Sequence, residues 1–141
     1  MKGFLLDTNC VSELVRVRPE SRVVEWFEST EESILYLSVL TFGEIRKGLA
    51  SLAPSRKRAS LESWLEADLN TRFQGRVLPV DQAVADRWGW LAAEAKRRGK
   101  PLAVVDGLLA ATALQHNLTL VSRNTADFHG VAVDVFNPWE N

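Results

Sequence analysis

The strongest constraint on this chain is an alternation. Short apolar runs at 3–6, 34–37, 77–80, 118–121 and 131–135 are separated by longer stretches whose apolar residues recur at helical spacing. Runs that short, rich in Val, Leu and Ile and followed by turn residues, read as strands buried on both faces. Parallel strands need a crossover between them, and the helix-period stretches supply it. The pattern predicts an α/β fold, a parallel sheet of about five strands flanked by helices.

The intervening segments punctuate themselves. A short helix after the first strand carries Val11, Leu14 and Val15 on one face. Pro19 suits the first turn of the next, which buries Val23, Val24 and Phe27 with Trp26 beside them. A helix from near Thr41 carries Ile45, Leu49 and Leu52 and ends at Pro54. Residues 55–73 form another, with Leu61, Trp64, Leu65 and Leu69 in register. Asp81 caps a helix with the stripe Val84, Trp88, Leu91 and Ala95, closed by Arg97, Arg98 and Gly99. Residues 105–115 form an alanine-rich helix. Trp64 and Trp88 belong to the core, Trp139 tacks down the tail, and Trp90, which falls off its helix's stripe, is read as core, with an exposed partner contact as the alternative. No linker divides the chain, so residues 1–141 are read as one domain.

Composition removes several classes. Hydrophobic residues are 46% and charged residues 25% of the 141 positions, as in folded proteins. The single cysteine, Cys10, forbids an intrachain disulfide or a multi-thiolate metal site and reads as a small buried apolar residue. The apolar run before Asp7 is too short for a signal-peptide core. No stretch approaches the ~20 apolar residues that span a bilayer. The chain reads as a cytoplasmic protein with no membrane segment. A net charge of −1 neither favours nor disfavours a nucleic-acid partner.

Function is carried by four acids. In an open parallel sheet, ligands bind beyond the carboxyl ends of the strands. Asp7 follows the first strand, Glu44 lies in the helix after the second, and Asp127 lies in the turn after the fourth. Asp106 opens the helix leading into the fourth strand and joins them if that helix starts at the same edge. Two carboxylates about 4 Å apart repel by roughly 4 kcal/mol at an effective dielectric near 20. Converging acids therefore call for a hard cation, Mg2+ or Mn2+. Such a site activates water and neutralises charge on a scissile phosphate. Of the basic clusters, Arg46 and Lys47, close behind Glu44, and Arg123, beside the closing turn, are the candidates for RNA phosphate contacts.

Four blocks carry a resemblance: FLLDTNCVSEL with Asp7, SVLTFGEIRKGL with Glu44, AVVDGLLAATAL with Asp106, and LTLVSRNTADF with Asp127. Together with PVD at 79–81 they resemble PIN-domain ribonucleases, specifically VapC-type toxins of toxin–antitoxin pairs, over essentially the whole chain. The resemblance implies Mg2+-dependent cleavage of RNA, with Asp7, Glu44, Asp106 and Asp127 as metal ligands and catalytic groups. It also implies a cognate antitoxin that blocks the site, and a homodimer. Ser122, Arg123 and Asn124 line the site in that family, and Thr8 and Asn124 are carried over as supporting residues.

Three other readings compete. A haloacid-dehalogenase-type phosphatase needs a second acid where Asn9 stands. A phospho-receiver domain needs a late lysine, and none follows Lys100. A non-catalytic PIN-like module that binds RNA or protein is the third, and four intact acids argue against it.

Overall fold

The computed structural model describes residues 2–140. β1 (Phe4–Leu6) is followed at once by α1 (Thr8–Glu13) and then α2 (Ser21–Ser29). Next come β2 (Leu35–Ser38), α3 (Val39–Ala50), α4 (Arg56–Ser63) and α5 (Asn70–Arg72), then β3 (Val77–Leu78), α6 (Gln82–Arg97), α7 (Val104–Gln115), β4 (Thr119–Val121) and β5 (Val135–Phe136). The sheet order is β3-β2-β1-β4-β5, and every neighbouring pair is parallel.

The strands alternate their side chains between two cores, as the pleat requires. Leu6, Leu35, Leu37 and Val121 face a cluster built with Val23, Phe27, Ile45, Leu49, Leu65 and Phe73. Leu5 and Leu120 face the other side, against Leu109, Ala110 and Ala113 of α7. Helices thus cover both faces, which explains why the strands are continuously apolar.

Three boundaries differ from expectation. The helix expected over 55–73 is continuous but changes character: Trp64–Leu69 is a π-helical segment between α4 and α5. The helix expected near Thr41 begins at Val39, because the Ser38 hydroxyl caps it by accepting from the Leu40 N–H. The strand expected over 131–135 pairs only at Val135–Phe136. Val131 and Val133 do pack against the second core, but the chain there is still turning, with the Val133 N–H donating to the Val131 carbonyl. Burying every second residue gives a strand-like pattern whether or not the backbone has joined the sheet.

The other punctuation is as expected. Asp81 caps α6 by accepting from the Val84 N–H. At its end, Gly99 takes φ +72, with Gly99 N–H to Lys96 O and Lys100 N–H to Ala95 O. That is a Schellman closure, which glycine adopts without strain. Cys10 is fully buried as expected, but Trp90 is 69% exposed and not in the core, since it lies off the face that α6 turns inward. Trp64 and Trp88 are half-buried against the core, not enclosed by it. Among the described residues, no helix is long and apolar enough to cross a membrane.

Candidate metal centre

The strand order turns at β1. The chain steps from β1 outward to β2 and β3, then crosses back to place β4 on the other side of β1. Crevices at such a reversal open at the carboxyl ends of the two strands. Asp7 and Ser122 stand at those two ends. The Asp7 N–H extends the ladder by donating to the Val121 carbonyl at 2.8 Å.

Asp7 is 8% exposed and heavily bonded. Its Oδ2 accepts from the fully buried Ser122 hydroxyl at 2.7 Å, and its Oδ1 accepts from the Thr8 N–H at 2.7 Å, so it also caps α1. Asn9 Nδ2 reaches the Ser122 Oγ at 3.4 Å, and Asn9 Oδ1 accepts from the Arg123 N–H at 3.3 Å. Asn9 thereby ties the turn after β1 to the turn after β4.

Glu44 comes from the exposed edge of α3, and its Oε1 accepts from the Thr8 hydroxyl at 2.6 Å. Asp106 lies in the first turn of α7 and Asp127 in the 3-10 turn Thr125–Phe128. Burial raises the Asp7 pKa, the Ser122 and Thr8 hydrogen bonds oppose this, and the charges of Glu44 and Asp127 raise it again. Burial first, then the charges of Asp7, Asp127 and Glu44, push Asp106 up to about 6. Four acids from four separate elements thus share one electrostatic field.

Among the described residues, no Lys or Arg forms an ion pair with any of the four. An oxygen-only, uncompensated donor set of this kind fits a hard divalent cation. No three of these side chains close into a ready-made cage. The arrangement is an open acidic basin.

Of the expected supporting pair, Thr8 touches an acid with its side chain and Asn124 does not. Thr8 bonds both acids, through its N–H to Asp7 and its hydroxyl to Glu44. The contribution of Asn124 is its backbone, whose N–H donates to Ser122 Oγ at 3.1 Å. Ser122 and Asn9 are the side chains that hold Asp7. Of the expected RNA-binding residues, Lys47 is exposed, but Arg46 is committed: its guanidinium pairs with Glu62 at 3.1 Å and Glu66 at 2.5 Å. It braces α3 against α4 and the π-helical segment. Arg123 lies over the Trp139 ring, 5.3 Å from its centroid. Trp139 is itself 7% exposed and anchors the tail as expected.

Two grooves flank the basin. One, of about 680 Å³, runs from Thr8 and Glu44 along Val15, Val17, Leu61 and Trp64. The other, of about 700 Å³, runs from Asp106 and Asp127 along Leu91, Arg98, Lys100 and Val131.

Residues 4–133 match the family of PIN domains. The chain belongs to the PIN-domain family. This PIN domain is 43% identical to the Toxin FitB of Neisseria gonorrhoeae, covering 98% of the chain and 99% of that protein. It is 37% identical to the VapC ribonuclease Y4jK of Sinorhizobium fredii, covering 97% and 98% respectively. Among solved structures, it superposes on the crystal structure of FitAcB from Neisseria gonorrhoeae with a TM-score of 0.92 at 43% identity, covering 98% of this chain and 99% of that one. The fold expected from the sequence is the fold of this family.

One glycine governs where Asp106 sits in the PIN domain. A Cβ on Gly107 would lie 2.8 Å from Cδ1 and 2.9 Å from Nε1 of the Trp88 ring. α7 therefore rests directly on α6 at the point where it presents Asp106. Gly107→Ala is expected to cost about 1–3 kcal/mol in chemical denaturation, the range of a core overpacking. By moving the first turn of α7 it is also expected to weaken cleavage more than that stability loss would suggest. Wild-type activity in a folded Gly107→Ala protein would contradict this.

Proposed function

We propose that this protein is a Mg2+-dependent endoribonuclease, the toxin of a VapBC-type toxin–antitoxin pair that arrests growth by cutting RNA. What supports the reading is that Asp7, Glu44, Asp106 and Asp127 lie around the switch point of the sheet and feel one another's charge, with no Lys or Arg ion-paired to them among the described residues. Its relatives' names, a toxin and a ribonuclease, supply the substrate class.

Asp7 and Asp106 would hold the cation, with Glu44 and Asp127 completing the set directly or through water. When bound, Mg2+ neutralises charge on the scissile phosphate and lowers the pKa of a bound water; Mn2+ has the same chemistry. Ser122 and the Thr8 N–H fix both Asp7 oxygens in place before substrate arrives. The Thr8 hydroxyl donates to Glu44 Oε1 and orients the carboxylate, so that Glu44 would act on the cation through the attacking water that its Oε2 orients. The hydrolysis consumes that water, breaks one P–O bond and returns the proton to the leaving oxygen.

A toxin carried by a living cell needs a neutralising partner, and the apolar groove beside Glu44 offers it a seat. Its rim includes Val17, 91% exposed. On the same reading the protein acts in the cytoplasm as a homodimer.

The test is cleavage of a labelled single-stranded RNA by purified protein. Cleavage is expected in Mg2+ and its loss in EDTA, with restoration by excess Mg2+. Undiminished cleavage in EDTA, or none in Mg2+ or Mn2+, would overturn the proposal. Expression in a bacterial host is expected to halt growth, and co-expression of the antitoxin to restore it.

A further inference from the structure

We propose that the groove on the Asp106–Asp127 side is a nucleotide subsite, in which Lys100 binds a phosphate of single-stranded RNA adjacent to the one being cut. This rests on the ribonuclease reading and adds to it the path of the substrate. The cavity, about 700 Å³, has Asp106 and Asp127 in its own wall, so a strand lying in it reaches the acids without a break. Its size is within the range of about 300–1,000 Å³ that takes small ligands. Leu91, Leu102 and Val131 in its lining give an unstacked base apolar surface to lie on.

Within this groove, charge selects Lys100. Its lining holds two basic side chains, Arg98 and Lys100, and Arg98 pairs with Glu94. Lys100 makes no ion pair among the described residues, lines the groove and is exposed. Its backbone is fixed by the Schellman closure of α6, so the ammonium projects from a rigid point.

One contact joins two segments that line the groove. Arg98 Nη1 donates to the carbonyl of Gly130, just beyond the turn that carries Asp127. Gly130 adopts φ +82, and a Cβ there would lie 3.3 Å from Arg98 Nη1. The end of α6 is thereby tied to the segment just after the Asp127 turn.

Binding of a short fluorescent single-stranded RNA, followed by anisotropy in Ca2+ over a range of salt, tests the subsite in the intact protein. Cleavage in Mg2+ is measured beside it. Lys100→Ala is expected to weaken binding roughly three- to tenfold near 0.1 M salt. It is also expected to reduce the slope of log K against log [salt] by about 0.7. In cleavage, KM rises by the same factor and kcat holds. Lys100→Arg retains most of the affinity, and Lys57→Ala, on the opposite groove, leaves binding unchanged. Equal melting temperatures confirm that the variants are folded. Wild-type affinity and salt slope in Lys100→Ala would overturn the subsite, as would failure of the wild type to bind RNA. If binding responds as expected but no RNA is cut, the subsite stands and the ribonuclease reading falls.

Discussion

Asp7→Asn is expected to lower Mg2+-dependent RNA cleavage by about three orders of magnitude while leaving the protein folded. Asparagine keeps the shape of the side chain, and its carbonyl oxygen still accepts from the Thr8 N–H. Its amide can donate to the Ser122 hydroxyl, which otherwise donates to Asp7 at 2.7 Å. What disappears is the charge. Metal-borne neutralisation of a transition state is worth several kcal/mol. A loss of about 4 kcal/mol corresponds to ~10³ in rate. Single-turnover cleavage beside circular dichroism checks this. A folded Asp7→Asn protein cutting within tenfold of wild type would mean that Asp7 is not a ligand.

Asp106→Asn is expected to have two effects of opposite sign, abolishing cleavage but stabilising the metal-free protein. Burial and the charges of Asp7, Asp127 and Glu44 raise Asp106 to about 6, against about 3.9 in an unfolded chain. Between those values the folded state binds more protons than the unfolded state, so stability falls as pH rises from about 4 through about 6. The loss is complete above that window, where Asp106 is an ionised carboxylate among three others. Discounted for solvent screening at this half-buried side chain, the penalty is about 1 kcal/mol. At neutral pH in EDTA, Asp106→Asn should melt about 2–4 °C above wild type. The difference should vanish near pH 4. A variant melting below wild type at pH 7.5 would contradict the electrostatic account.

The sheet was legible because burial on both faces leaves a plain signature. The apolar runs ending at Leu6, Leu37 and Val121 locate the three central strands closely. The edge was harder to read. Val131, Val133 and Val135 alternate like a strand, yet only the last has joined the ladder, since burial and pairing impose the same period.

The acids were legible because each follows or precedes an element that ends at the sheet's functional edge. Their support was only partly so. Ser122 matters because β4 happens to lie beside β1, and strand order is not written in any local pattern. Asn9 and Ser122 lie far apart in sequence, and nothing near either announces the bond between them. Arg46 misled for the same reason. Its nearness to Glu44 suggests a role in the site, while its true partners, Glu62 and Glu66, come from segments that the fold brings over later. Asp106 shows the reverse: an acid in the apolar setting AVVDGLL stands out by itself, and its raised pKa is the physical counterpart of that oddity.

The central claim is that the four carboxylates act together to hold the ion that cuts RNA. Calorimetric titration of Mg2+ into wild type and Asp106→Asn across pH 5 to 8 tests it directly. Wild type is expected to bind, with affinity falling below about pH 6 as Asp106 takes up a proton. The variant is expected to bind at least tenfold more weakly, with that pH dependence removed. Equal affinity and equal pH dependence in the two proteins would contradict the account.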